Sequence, residues 1–169
     1  AATGVPYFCL DYLMMGLSNG LPVSGVDADD YNEVRVADHM WPVVKPMVTA
    51  MLENGESYLI EGVQMRPVHA WKLSQTWPGQ VRSCFLGYAA ADVARKVDEL
   101  RRYDPGHNDW MSDFDDAEMA RSVQAFIALS RQIRDECARY GLRYIETSLD
   151  FSGAVADAVA YLQVGTGEK

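Results

Sequence analysis

Val81-Arg82-Ser83-Cys84-Phe85-Leu86 is a short apolar run of the kind that forms a β-strand. Three more runs resemble it: Val5-Pro6-Tyr7-Phe8-Cys9-Leu10, Ser57-Tyr58-Leu59-Ile60 and Leu142-Arg143-Tyr144-Ile145. All four show little polar alternation. Strands covered on both faces, as in a parallel sheet, have that pattern.

Helical periodicity fills the intervals. Residues 30–54 carry Ala37, Met40, Trp41, Val44, Met47, Val48 and Met51 at helical spacing, with Asp30 and Glu33 as an opening capping box and Gly55 as the stop. Pro42 and Pro46 are expected to kink or split this helix. Residues 90–103 place Val93, Val97 and Leu100 on one stripe. Residues 115–140 place Met119, Val123, Phe126, Ile127, Ile133 and Cys137 on another, with Ser112 as the expected cap and Gly141 past the end. Phe151, Val155, Val159 and Leu162 give a last helix capped by Asp150. Strand alternating with helix is the signature of an α/β fold: a parallel sheet with right-handed crossovers and helices on both faces.

The chain has 169 residues, of which 49% are hydrophobic and 23% charged, the composition of a soluble globular protein able to bury its own core. No apolar run approaches the ~18 residues of a membrane span, and the first residues lack the basic and apolar segments of a signal peptide. A cytoplasmic protein without a membrane partner is the expectation. A net charge of −9 argues against nucleic acid, whose binding draws on many phosphate contacts. Cys9, Cys84 and Cys137 form no CxxC pair, so neither a disulfide nor a zinc site is expected. His39, His69 and His107 are separated from one another and read as surface or packing residues.

In open parallel sheets, ligands bind beyond the carboxyl ends of the strands. There the sequence places Asp11, Glu61-Gly62, Gly87-Tyr88 and Glu146-Thr147-Ser148. Carboxylates at such an edge hold Mg²⁺ or accept a hydroxyl proton, the two needs of phosphoryl transfer to an alcohol. Each also has an ordinary use as a helix cap or a solvated strand end. Residues 103–114, Tyr103-Asp104-Pro105-Gly106 through Phe114, form a polar loop with the length and the turn of a lid, and Trp110 would report its closure.

Thr3-Gly4-Val5-Pro6-Tyr7-Phe8 with Leu10-Asp11, then Tyr58-Leu59-Ile60-Glu61-Gly62 with Arg66-Pro67, then Phe85-Leu86-Gly87-Tyr88 with Arg95 and Arg101-Arg102, resemble in that order the small P-loop kinases of the nucleotide-kinase-like group. The resemblance spans the chain. It implies a single three-layer α/β/α domain over residues 1–169, with residues 13–54 as an acceptor-binding helical region. It also implies ATP and Mg²⁺ as cofactors and a small molecule as acceptor. Asp11 would orient or deprotonate that acceptor, and Glu61, at the Walker B position, would hold Mg²⁺ or its water, with Asp11 as a second metal contact. Arg101 and Arg102 would neutralise the transferring phosphoryl group, and Arg95, Thr147 and Ser148 would contact the nucleotide.

The sequence departs from the family at one place. It contains no GxxxxGK[ST] phosphate loop. The family's strand order is 2-3-1-4-5, so the central first strand and the loop after it are expected upstream of Ala1, in roughly 15–25 further residues. Without the loop the chain is expected to be inactive. Two rival readings follow: a catalytically silent module with a nucleotide-binding fold that binds a protein partner, and a P-loop ATPase or GTPase.

Overall fold

The computed structural model describes residues 5–103 and 111–163. The chain divides into two compact units, residues 1–82 and 83–169. It is a mixed α/β structure with parallel strand pairing, and among the described residues the sheets are two separate pairs of strands. No described helix is long and apolar enough to cross a membrane.

The first unit comprises β1 (Tyr7–Cys9), α1 (Leu10–Gly20), a 3-10 turn (Pro22–Ser24), α2 (Glu33–Glu53), β2 (Leu59–Glu61) and α3 (Pro67–Thr76). β1 pairs with β2 in parallel, Tyr7 opposite Leu59 and Cys9 opposite Glu61. Its core gathers Leu10 and Leu17 of α1, Val36, Met40, Val44 and Val48 of α2, and Leu73 of α3. Each such side chain contributes about 1.5–3 kcal/mol by leaving water.

Asn32, two residues later than expected, caps α2, its side chain accepting from the Arg35 N–H at 3.1 Å. Asp30 instead binds the Asn32 N–H and the Arg35 guanidinium. α2 also runs unbroken through Pro42 and Pro46. The two prolines are four residues apart and both exposed. The carbonyls they deprive of a helical donor are those of Asp38 and Pro42, both exposed positions of the helix.

The second unit comprises β3 (Cys84–Gly87), α4 (Val93–Arg102), α5 (Asp116–Tyr140), β4 (Arg143–Glu146) and α6 (Phe151–Gln163). β3 and β4 are parallel, Cys84 opposite Arg143 and Gly87 opposite Glu146. α5 and α6 both pack on this pair. α5 buries Met119, Val123, Ile127 and Cys137, as its periodicity predicts. α6 reverses the expectation. It buries Ala154 and Ala158, while Phe151 and Val159 are 64% and 45% exposed. Small side chains let the helix backbone approach the strands, and the larger ones are left outside.

Three of the four strands are shorter than the runs that announced them, β4 is the same length shifted by one residue, and β2, β3 and β4 end one residue later, so Glu61, Gly87 and Glu146 are the last residues of strands. They are not covered on both faces either. Leu59 and Leu86 are each 41% exposed.

α5 is capped by a reciprocal box between Asp115 and Glu118 instead of by Ser112. Asp115→Ala should lower the unfolding free energy by about 0.5–2 kcal/mol in urea denaturation. Ser112→Ala should change it by less than about 0.5 kcal/mol.

Candidate functional site

The parallel pairing of β1 and β2 brings their carboxyl ends side by side. Cys9, the last residue of β1, faces Glu61, the last of β2, and Asp11 lies in the first turn of α1 directly beyond. Both carboxylates are exposed. The Tyr7 hydroxyl donates to Glu61 Oε1 at 2.6 Å, and this bond raises the Tyr7 pKa well above its usual range. The Cys9 thiol lies 3.8 Å from Asp11 Oδ2. Burial and Glu61 push its pKa up, so it stays a thiol at neutral pH and is no nucleophile.

Asp11 has a stronger partner. Gln64 Nε2 donates to Asp11 Oδ1 at 2.7 Å and lies 3.4 Å from Met14 Sδ. Gln64 is 2% exposed, and its Oε1 has no hydrogen-bond partner among the described residues. An unsatisfied buried acceptor costs about 1–3 kcal/mol. Gly62 makes the turn that seats it. With φ 147°, it adopts a backbone conformation that side chains disfavour, and a Cβ there would stand 2.5 Å from Gln64 Oε1 and 2.7 Å from Leu10 Cβ. Burial, with the charges of Asp11 and Asp30, raises the pKa of Glu33, in the first turn of α2, above that of an ordinary glutamate. The edge is thus a set of acceptors: Asp11, Glu61 and Glu33.

Two carboxylates suit Mg²⁺, which binds through one or two carboxylates and completes its shell with water and substrate phosphates. No cluster of three or more His, Cys, Asp or Glu side chains that would cage a metal occurs among the described residues.

The second unit uses its strand ends differently. Glu146 accepts from the backbone N–H groups of Ala90 at 3.2 Å and Ser148 at 3.1 Å and from the Tyr144 hydroxyl at 3.3 Å. That carboxylate is a clamp on its own loops. Thr147, buried, donates its hydroxyl to the Gly87 carbonyl at 3.1 Å, tying β4 to β3, while the buried Ser148 hydroxyl has no partner among the described residues. Gly87 is required because a Cβ would come within 2.7 Å of the Tyr144 hydroxyl.

The arginines lie on α4. Arg95 is exposed and paired with Glu99 at 3.0 Å, and Arg102 is exposed with Asp98 at 3.9 Å. Arg101 reaches forward, donating to the Phe114 carbonyl at 2.5 Å and meeting Asp116 at 3.2 Å. It therefore braces the entry to α5. Most of the lid-like loop 103–114, including Trp110, lies outside the described residues, as do His107 and Thr3-Gly4.

Asp11 and Glu61 thus come together in one unit, and Arg95, Arg101, Arg102, Thr147 and Ser148 belong to the other. Gln64 and Glu33 escaped sequence reasoning. A neutral amide three residues past Glu61 carries no charge signal, and Glu33 reads as an ordinary helix-opening acid.

His69 packs as expected, although it has a carboxylate neighbour the sequence conceals. It is 3% exposed, stacks on Trp41 with ring centroids 4.2 Å apart, and its Nε2 lies 3.3 Å from Asp38, which Arg66 also binds at 3.0 Å. The chain matches no protein-family model, no curated protein and no solved structure.

Burial, assisted by the positive charges of Arg66 and Lys72 and opposed by Asp38, lowers the His69 pKa to about 4. The unfolded chain takes up this proton near pH 6.5, so the stability contributed by the neutral ring is complete above that pH. It is lost as pH falls toward 4, by on the order of 3 kcal/mol. Urea midpoints measured from pH 7 to 4 should fall for the natural protein and fall less for His69→Phe, which keeps the stack on Trp41 without the proton.

Proposed function

We propose that these residues belong to an ATP-dependent phosphotransferase acting on a small-molecule acceptor with Mg²⁺, built on a P-loop kinase-like three-layer sheet. The pattern of strand pairing carries the proposal. In the order 2-3-1-4-5, the four strands present here are numbers 2, 3, 4 and 5, which leaves the pairs 2-3 and 4-5 when the central strand lies outside these residues. β1 with β2 and β3 with β4 are those pairs, both parallel.

In this reading Asp11 takes or orients the acceptor hydroxyl proton. Glu61 holds Mg²⁺ or one of its waters, and the ion, when bound, neutralises phosphate charge. The family resemblance alone, and no observed contact with Asp11 or Glu61, assigns Arg101 and Arg102 to the transferring group and Arg95, Thr147 and Ser148 to the nucleotide. The triphosphate cradle is not among the 169 residues. The chain alone should therefore bind Mg-ATP weakly, and a longer natural chain should bind it firmly only where it supplies that loop.

A silent interaction module is the second reading. It draws on the missing phosphate loop and on the engagement of Thr147 and Arg95 with partners of their own.

Calorimetric titration with Mg-ATP separates the two, and ADP release across a panel of small alcohols, sugars and phosphomonoesters then tests for the kinase. Asp11→Asn and Glu61→Gln in the full natural protein should each lower turnover by about 10²–10⁴-fold. Melting temperatures should stay close to that of the natural protein, because both carboxylates are exposed. Full turnover in both variants would sink the assignment.

A further inference from the structure

We propose that Gln64 is the positioning residue of Asp11, holding one carboxylate oxygen so that the other meets the acceptor hydroxyl. The inference rests on the reading of Asp11 as the acceptor-handling group.

Asp11 is exposed, and water alone would satisfy its carboxylate. A side chain that is 2% exposed nevertheless reaches it from the turn after β2, with Nε2 at 2.7 Å from Oδ1. Only the nitrogen of the amide can donate to a carboxylate, so the orientation of Gln64 is fixed and its Oε1 is left buried without a partner. Methionine has the same length and leaves no unsatisfied atom. Stability therefore does not account for a glutamine here. Geometry does, since a packed amide confines Asp11 to one rotamer at the strand edge. Nε2 occupies Oδ1, and Oδ2, which among the described residues lies 3.8 Å from the Cys9 thiol, is the atom left for the acceptor. Gly62 belongs to the same device, because any Cβ there collides with Gln64 Oε1.

The test compares Gln64→Met, Gln64→Glu and Asp11→Asn in the full natural protein, using the panel compound that gives the fastest ADP release from Mg-ATP. Gln64→Met should melt at or above the natural protein, lower kcat by about 10- to 100-fold and leave the KM for Mg-ATP within about twofold. Gln64→Glu replaces the donor by a carboxylate beside Asp11, whose charge Glu33 also feels. Its turnover should fall at neutral pH and recover in part as the pH is lowered, when the new carboxyl gains a proton it can donate to Asp11. A purely structural glutamine predicts the reverse, a lowered melting temperature and unchanged kcat in Gln64→Met, and that result overturns the proposal. An inactive Asp11→Asn beside a fully active Gln64→Met overturns it alone. A fully active Asp11→Asn overturns the reading of Asp11 and this inference with it.

Discussion

A parallel strand cannot be joined to its neighbour by a tight turn, and the rest of this structure depends on that constraint. Each unit spends most of its length on a crossover, α1 and α2 between β1 and β2, α4 and α5 between β3 and β4. The crossover helices also provide the apolar cover that strands of three or four residues cannot provide for themselves. Parallel pairing has a chemical consequence as well. Both strands of a pair finish at the same edge, so the residues that follow them meet without any further device.

The two edges are used differently. In the first unit the acids look outward, and each is steadied by one neutral donor, Glu61 by Tyr7 and Asp11 by Gln64. In the second, Glu146 binds backbone N–H groups from both flanking loops and is consumed in holding them. Three acids of similar sequence position thus divide into two accessible groups and one internal fastening. The division follows from local loop shape: beyond β4 and β3 the chain turns its amides toward the carboxylate, and beyond β2 it turns away through Gly62.

The long helices were legible because their periodicity is long. α2 and α5 announce their inward faces over five or more turns, and of the residues so identified Ala37, Met40, Val44 and Val48 on α2 and Met119, Val123, Ile127 and Cys137 on α5 are buried, while Trp41, Met47, Met51, Phe126 and Ile133 are half-buried. α1 was hidden because Leu10 closes an apolar run and opens a helix at once, and Gly16 and Gly20 dilute its pattern. α3 was announced only by Pro67 at its first position. Strand existence was readable, but the register was not. A run of like apolar residues fixes no boundary, and Glu61 and Glu146, which the sequence pattern places just after strands, are the residues that complete them. On α6 the size of the apolar residues misled, since the backbone came closest where the side chains were smallest. At the candidate site the charges were visible in the sequence. What holds them was not, because Gln64 meets Asp11 across 53 positions of the chain.

Asp38 marks a mechanical singularity in the first unit. Its backbone carbonyl, like that of Pro42, has lost a helical donor to a proline, while its side chain is fastened by Arg66 and His69 at the start of α3. The helix is stapled to its neighbour at one of its two missing rungs. Bending α2 at that point and displacing the head of α3 are therefore one motion, and α3 is tethered through Arg66 to Gln64 only two residues before it. Strain applied to the outer face of the long helix has a short covalent route to the turn that seats the amide beneath Asp11.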